Sequence, residues 1–143
     1  YLPEDDKTVV WRSRPLAPHL WNLSEDFFMV PGRVHALAPN KAGLVVATDR
    51  AIHAFTSEGI GLLADYGTVP GLPWALDDKR TLIWSQRGLC QFPEFTNLTA
   101  SRVSVAPGLQ AGAAVLELDG QVRFLACLHA GGIPFNQRRE VSP

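Results

Sequence analysis

TDRAIHAF (48–55) and SQRGLCQF (85–92) share a rhythm but only two letters, the Arg and the closing Phe. Each is the second half of a longer phrase. GLVVATDRAIHAF (43–55), RTLIWSQRGLCQF (80–92) and AAVLELDGQVRFL (113–125) all place an apolar strand, a short polar turn and a second apolar strand in that order. Phe55, Phe92 and Phe124 mark the three phrases, spaced by 37 and then 32 residues. Self-similarity at about 20–50 residues is the mark of an array, and all-β arrays near 40 residues per unit are built like propeller blades. The turn residues suit hairpins: Asp49-Arg50, Gln86-Arg87 and above all Asp119-Gly120 tolerate unusual φ. The flanking runs are nearly continuous in apolar residues, which suits strands covered on both faces. Such packing selects volume over identity, so the rhythm persists while the letters drift.

Outward from these hairpins, strand signals recur: TVVW, RVHALA, GIGLLADY, FTNLTASRVSVA and QVRFLACL are short, rich in β-branched and aromatic residues, and bounded by Gly, Pro, Asn or Asp. GTVPGLPWAL (67–76) and VAPGLQAG (105–112) read as connections between units. The best helical candidate, LWNLSEDFFMV (20–30), has room for one or two turns between Pro18 and Pro31. The expected fold is all-β: propeller-like repeated antiparallel sheets, with two fairly complete units and partial ones. One domain over 1–143 divides into units of about 33–71, 72–108 and 109–132. Closed propellers need about 4–8 blades, so this chain is expected to be completed by other chains or by more of its own, as the C-terminal part of a longer protein. A β-sandwich is the alternative architecture for the same strand spacing.

Composition agrees with a packed domain. Of 143 residues, 46% are hydrophobic and 19% charged, and 12 Gly with 11 Pro leave little room for long helices. The net charge of −1, with both signs scattered, gives no electrostatic footprint for nucleic acid or anionic membranes. No apolar run approaches the ~20 residues of a membrane span. Cys90 and Cys127 both stand in apolar runs and are expected to be small buried hydrophobes, not a disulfide.

Reactive constellations are absent from the letters. His19, His35, His53 and His129 show no metal-ligand spacing, and His53, between Ile52 and Ala54, reads as a partly buried, hydrogen-bonded strand residue. Glu4-Asp5-Asp6, Glu25-Asp26 and Asp77-Asp78 read as solvated turns, since adjacent carboxylates point apart. No nucleophile elbow, phosphate loop or dinucleotide fingerprint occurs. No cofactor or metal is expected and no enzymatic activity; a propeller lyase or hydrolase would need ionisable residues from separate units to converge. Asn22-Leu23-Ser24 and Asn97-Leu98-Thr99 read as turn and cap residues. Trp84 reads as core. Trp11, Trp21 and Trp74, beside Pro-rich connections, and Arg138 and Arg139 in the tail are candidate interface residues. The tryptophans also open a reading as a carbohydrate- or host-surface-binding module.

WRSRPL, ADYGTVPG and SQRGLC followed by NLT, in that order, resemble a family of tailed-bacteriophage virion proteins in which immunoglobulin-like modules precede a propeller-like β domain. The resemblance runs from about Trp11 to Leu128; the upstream modules and a counterpart for IPFNQRREVSP (133–143) are missing. It implies a structural component of the virion tail, in a tail tip, baseplate or nozzle, assembled in the host cytoplasm. Its expected partners are other tail proteins and copies of itself around the tail axis, with DNA passing without specific binding.

Overall fold

The computed structural model describes residues 1–100 and 110–129, and among them every regular element is a strand. The strands are β1 (Lys7–Trp11), β2 (Phe27–Pro31), β3 (Val34–Asn40), β4 (Gly43–Thr48), β5 (Ile52–Thr56), β6 (Gly59–Ala64), β7 (Gly71–Leu72), β8 (Trp74–Leu76), β9 (Thr81–Ser85), β10 (Gly88–Phe92), β11 (Thr96–Asn97), β12 (Gln110–Leu118) and β13 (Gln121–His129). They form four sheets, none closed on itself: β1-β2, β3-β4-β5-β6, β11-β10-β9-β8 and β13-β12-β7. All pairings are antiparallel except β7 with β12, where Gly71 and Leu72 run parallel to Ala111 and Gly112.

The two four-stranded sheets lie face to face. Alternation along β4 sends Val45 and Ala47 to one face; with Ala36, Ala38, Ile52 and Ala64 they meet Ile83, Cys90 and Phe92 of the second sheet in the main core. Small residues on the first sheet let the Phe92 ring, which sits 5.6 Å from the Phe95 ring, fill the gap. The opposite face of the first sheet is covered by β1-β2: the Phe28 ring stacks on Phe55 at 4.6 Å, and Val30 is fully buried. The opposite face of the second sheet is covered by the root of the β12-β13 hairpin, where Val69, Trp84 and Ala111 cluster with Leu89 and Leu128. Covered on both faces, β9 is buried at all five positions. That is the physical reason the TLIWS run shows no alternation.

The opening pair of phrases has a shared device in its turns. Thr48 Oγ1 accepts hydrogen bonds from the N–H groups of Arg50 and Ala51 and donates to the Ala51 carbonyl. Ser85 Oγ likewise accepts from Arg87 N–H and donates to the Gly88 carbonyl. One hydroxyl thus closes each turn, doing locally what a backbone pair would otherwise do. The third turn works differently, with Asp119 at φ 51 and Gly120 at φ 72, the double left-handed geometry of a two-residue hairpin.

The first two turns are also clamped to each other. Gln86 donates Nε2–H to the Asp49 carbonyl at 2.9 Å and accepts from Gly67 N–H, whose own carbonyl takes the Gln86 N–H. Thr68 N–H bonds the Thr48 carbonyl at 3.0 Å. Gly67 is pressed onto the first turn so closely that a Cβ there would overlap the Thr48 carbonyl oxygen and stand 2.7 Å from Arg50 N. Farther along the same interface, Thr81 donates its hydroxyl to the Pro39 carbonyl.

Several expectations change. The stretch 20–30 forms no helix: 23–25 are a turn, 26 is a bend, and FFMVP is strand β2, paired along its length with β1. GTVPGLPWAL is not a bare connection, since it contains β7 and β8, and β8 is the edge of the second four-stranded sheet. Of FTNLTASRVSVA, Thr96–Asn97 is a strand and 101–109 lie outside the described residues. Cys127 is exposed, while Cys90 is fully buried, and both are free thiols. The reason is alternation: Leu128 turns toward the second sheet, and Cys127 beside it turns to the opposite face of the hairpin, which is exposed.

Candidate functional surfaces

Five residues were singled out as an interface, and the structure separates them. Trp11 and Trp21 are 46% and 52% exposed and belong to β1 and to the β1–β2 connection. The Trp21 indole N–H is held by the Pro18 carbonyl at 3.0 Å, and the Trp11 N–H points at the Leu23 carbonyl at 3.4 Å, so each ring is positioned while its face stays open. Trp74 is half-buried against the main core, paired across the sheet with Ile83, and is a packing residue. Trp84 is core, as expected. Arg138 and Arg139 lie outside the described residues.

The acidic groups resolve into turn chemistry. Asp77 accepts from the N–H groups of Lys79 and Arg80 and pairs with the Arg80 guanidinium at 2.8 Å. Burial alone would push its carboxyl up, but these donors outweigh it and hold the pKa below the ordinary value. Asn22 and Asn97 each accept from the N–H and hydroxyl two residues on, in Ser24 and Thr99, which makes both N-x-S/T triplets Asx turns.

Two clefts flank the 76–80 turn. One, of about 240 Å³, lies against Pro39, Asn40 and Lys41. The other, of about 640 Å³, lies between the turn and Val115, Glu117 and Val122 of the hairpin. Among the described residues no group of three or more His, Cys, Asp or Glu converges as metal ligands. The Cys90 thiol is pushed up by burial, against hydrogen bonds shared with Ser85 and Tyr66, and is a poor nucleophile there.

The surfaces that the residue-by-residue reading missed are the outward faces of the end layers. On β12-β13, the inward face carries Ala111, Val115, Phe124 and Leu128. The outward one carries Ala114, Leu116, Leu118, Leu125 and Cys127, all exposed, with Leu118 at 51% and Leu125 at 49%; Arg123 opposite Leu116 and Gln121 opposite Leu118 edge this stripe near the turn. At the far end, β1-β2 turns Phe28 and Val30 inward and shows Trp11, Phe27 and Met29 outward. An apolar stripe on a strand pair reads the same in sequence whether a layer covers it or not, so no local signal marks these faces.

No family model, curated protein or solved structure matches this chain. Among the described residues no helix is long and apolar enough to cross a membrane.

Proposed function

We propose that the chain is a structural subunit of a bacteriophage tail, in a tail tip, baseplate or nozzle, that works through protein–protein contacts between sheet faces. In this reading the stacked sheets are blades of an incomplete propeller, completed by further copies or by neighbouring tail proteins around the tail axis. The observation that carries it is the outward stripe Leu116, Leu118 and Leu125 on a hairpin whose root is already packed as the next layer of the stack. Apolar sheet faces of this kind are covered by partners in assemblies and are aggregation sites when left bare. A net charge of −1 also suits a conduit, because dense basic charge would retain passing DNA.

Sedimentation velocity tests the assembly claim. The chain is expected to self-associate as concentration rises, and the Leu116→Arg/Leu125→Arg pair is expected to return it to a 15.6 kDa monomer. Since both leucines are surface residues, the melting temperature should stay within a few degrees. A wild-type chain that stays monomeric through the micromolar range contradicts the reading.

The open faces of Trp11 and Trp21 favour a second reading, a carbohydrate- or host-surface-binding module of the same tail. It predicts glycan-array binding that Trp21→Ala abolishes and Trp74→Ala, a core change, does not remove specifically.

A further inference from the structure

His53 is the second residue of β5, where alternation turns it away from the main core and toward the β1-β2 layer. Ile52 and Ala54 line up with the core residues Ala47 and Val45, whereas His53 and Phe55 pair with Val46 and Leu44 on the other face. Phe55 on that face carries the stacked Phe28 ring of β2. The imidazole thus lies on the face over which the β1-β2 layer packs, is 9% exposed, and its Nδ1 has no hydrogen-bond partner.

No acidic side chain stands on β1–β6 to stabilise a cation. Apart from His53, the strands β2, β4, β5 and β6 contain no ionisable side chain, and the one on β1, Lys7, is exposed at the end of the strand beside Pro31. On β3, His35 is engaged elsewhere, with its Nδ1 2.7 Å from the Thr68 carbonyl. At the rim, Asp6 of the N-terminal layer pairs with Arg50, Arg33 covers the Tyr1 ring, and Asp49 accepts from Arg33 N–H; all are exposed or partly so. Imidazolium carries N–H on both ring nitrogens, and at Nδ1 the second one would find no acceptor.

We infer that His53 is a proton-operated latch: the neutral ring keeps the β1-β2 layer seated on the β3-β6 sheet, and its protonation lifts that layer and bares the Phe28–Phe55 contact. The direction of titration agrees. Desolvation lowers the pKa of His53 below 6.5, with a hydrogen bond that the ring donates to the Val46 backbone opposing in part. The closed layer prefers the neutral ring, so the latch holds fully above about pH 6.5. It weakens as the pH falls through that value toward the lowered one. One proton taken up on opening raises the opening constant by up to about tenfold per pH unit within that window.

Hydrogen exchange on the whole chain at pH 7.5 and 5.5, corrected for intrinsic rates, tests the latch. Peptides covering Lys7–Trp11 and Phe27–Pro31 are expected to lose protection by up to about tenfold per pH unit below 6.5, while Thr81–Ser85 keeps its protection. His53→Leu should flatten this dependence. His53→Gln, which keeps a polar uncharged side chain should the Leu variant fold poorly, should flatten it as well. Asp6→Asn, which removes the rim ion pair, should leave it in place. Equal protection of the N-terminal layer at both pH values overturns the inference. So does a pH dependence that survives both His53 substitutions, or one that Asp6→Asn alone abolishes.

Discussion

Phe92→Ala is expected to lower the unfolding free energy by about 3–5 kcal/mol, the range for emptying a buried aromatic site. The ring is 1% exposed and is the largest fully buried side chain, clustered with Ala36, Ala38 and Ala47 of one sheet and with Phe95 of the turn after its own strand. Those alanines cannot reach into the space a lost ring leaves, and the sheets cannot close on it because the Gln86 and Gly67 clamp fixes their spacing at one end. Phe55→Ala, at the corresponding place in the first hairpin, should cost less, since that ring is only half-buried and has a single stacked partner. Urea unfolding followed at several wavelengths measures both. Equal losses for the two variants, or a loss below about 1 kcal/mol at Phe92, would contradict the packing described here.

The second large effect is expected from one added methyl group. Gly67→Ala places a Cβ against the Thr48 carbonyl oxygen, the Asp49 carbonyl carbon and the Arg50 nitrogen, all backbone atoms of a turn held by its own hydroxyl. A side chain can rotate out of such a contact, but this turn cannot move without breaking the Thr68–Thr48 hydrogen bond. The expected cost is about 3 kcal/mol or more, at the high end for overpacking. Gly61→Ala is the control: no atom lies within 4 Å of a Cβ there, and the change should fall within about 0.5 kcal/mol. Paired thermal melts of the two variants read the difference directly. A tolerated Gly67→Ala would mean that the two sheets are not joined as seen.

Much of the fold is legible in the letters because strand, turn and strand repeat within short windows, and hairpin pairing is local. The 43–55 and 80–92 phrases became β4-β5 and β9-β10 with the turns where the polar pairs stand. FFMVP was the chief misreading. A continuous apolar run of that length suits a buried helical turn as well as a strand, and what decides it is TVVW, some twenty residues upstream, lying alongside. GLPWAL misled for a related reason: Pro and Gly punctuate connections, yet here they set β7 and β8 on either side of Pro73, each paired with a different neighbour. The hydroxyls of Thr48 and Ser85 were visible but silent, since their role depends on the turn they close. The candidate interface was the least legible. Whether Leu116 or Cys127 meets solvent depends on how far the next layer reaches, a property of the stack and not of the phrase that contains them.

The placement of the four indoles divides the molecule into optically distinct parts. Trp84 sits in the dry interior of the second sheet and Trp74 is half-shielded beside it, while Trp11 and Trp21 face water at the N-terminal end. Emission from the shielded pair lies to the blue of the exposed pair, so a red shift on heating reports the centre of the stack, and quenching by a soluble collider reports its N-terminal end. The β12-β13 arm holds no indole of its own, but its root packs on Trp84 through Ala111 and Leu128, so its detachment would wet that ring and shift the buried signal to the red. An intrinsic fluorescence melt of this chain therefore senses the arm only through Trp84, and merges its detachment with loosening of the second sheet.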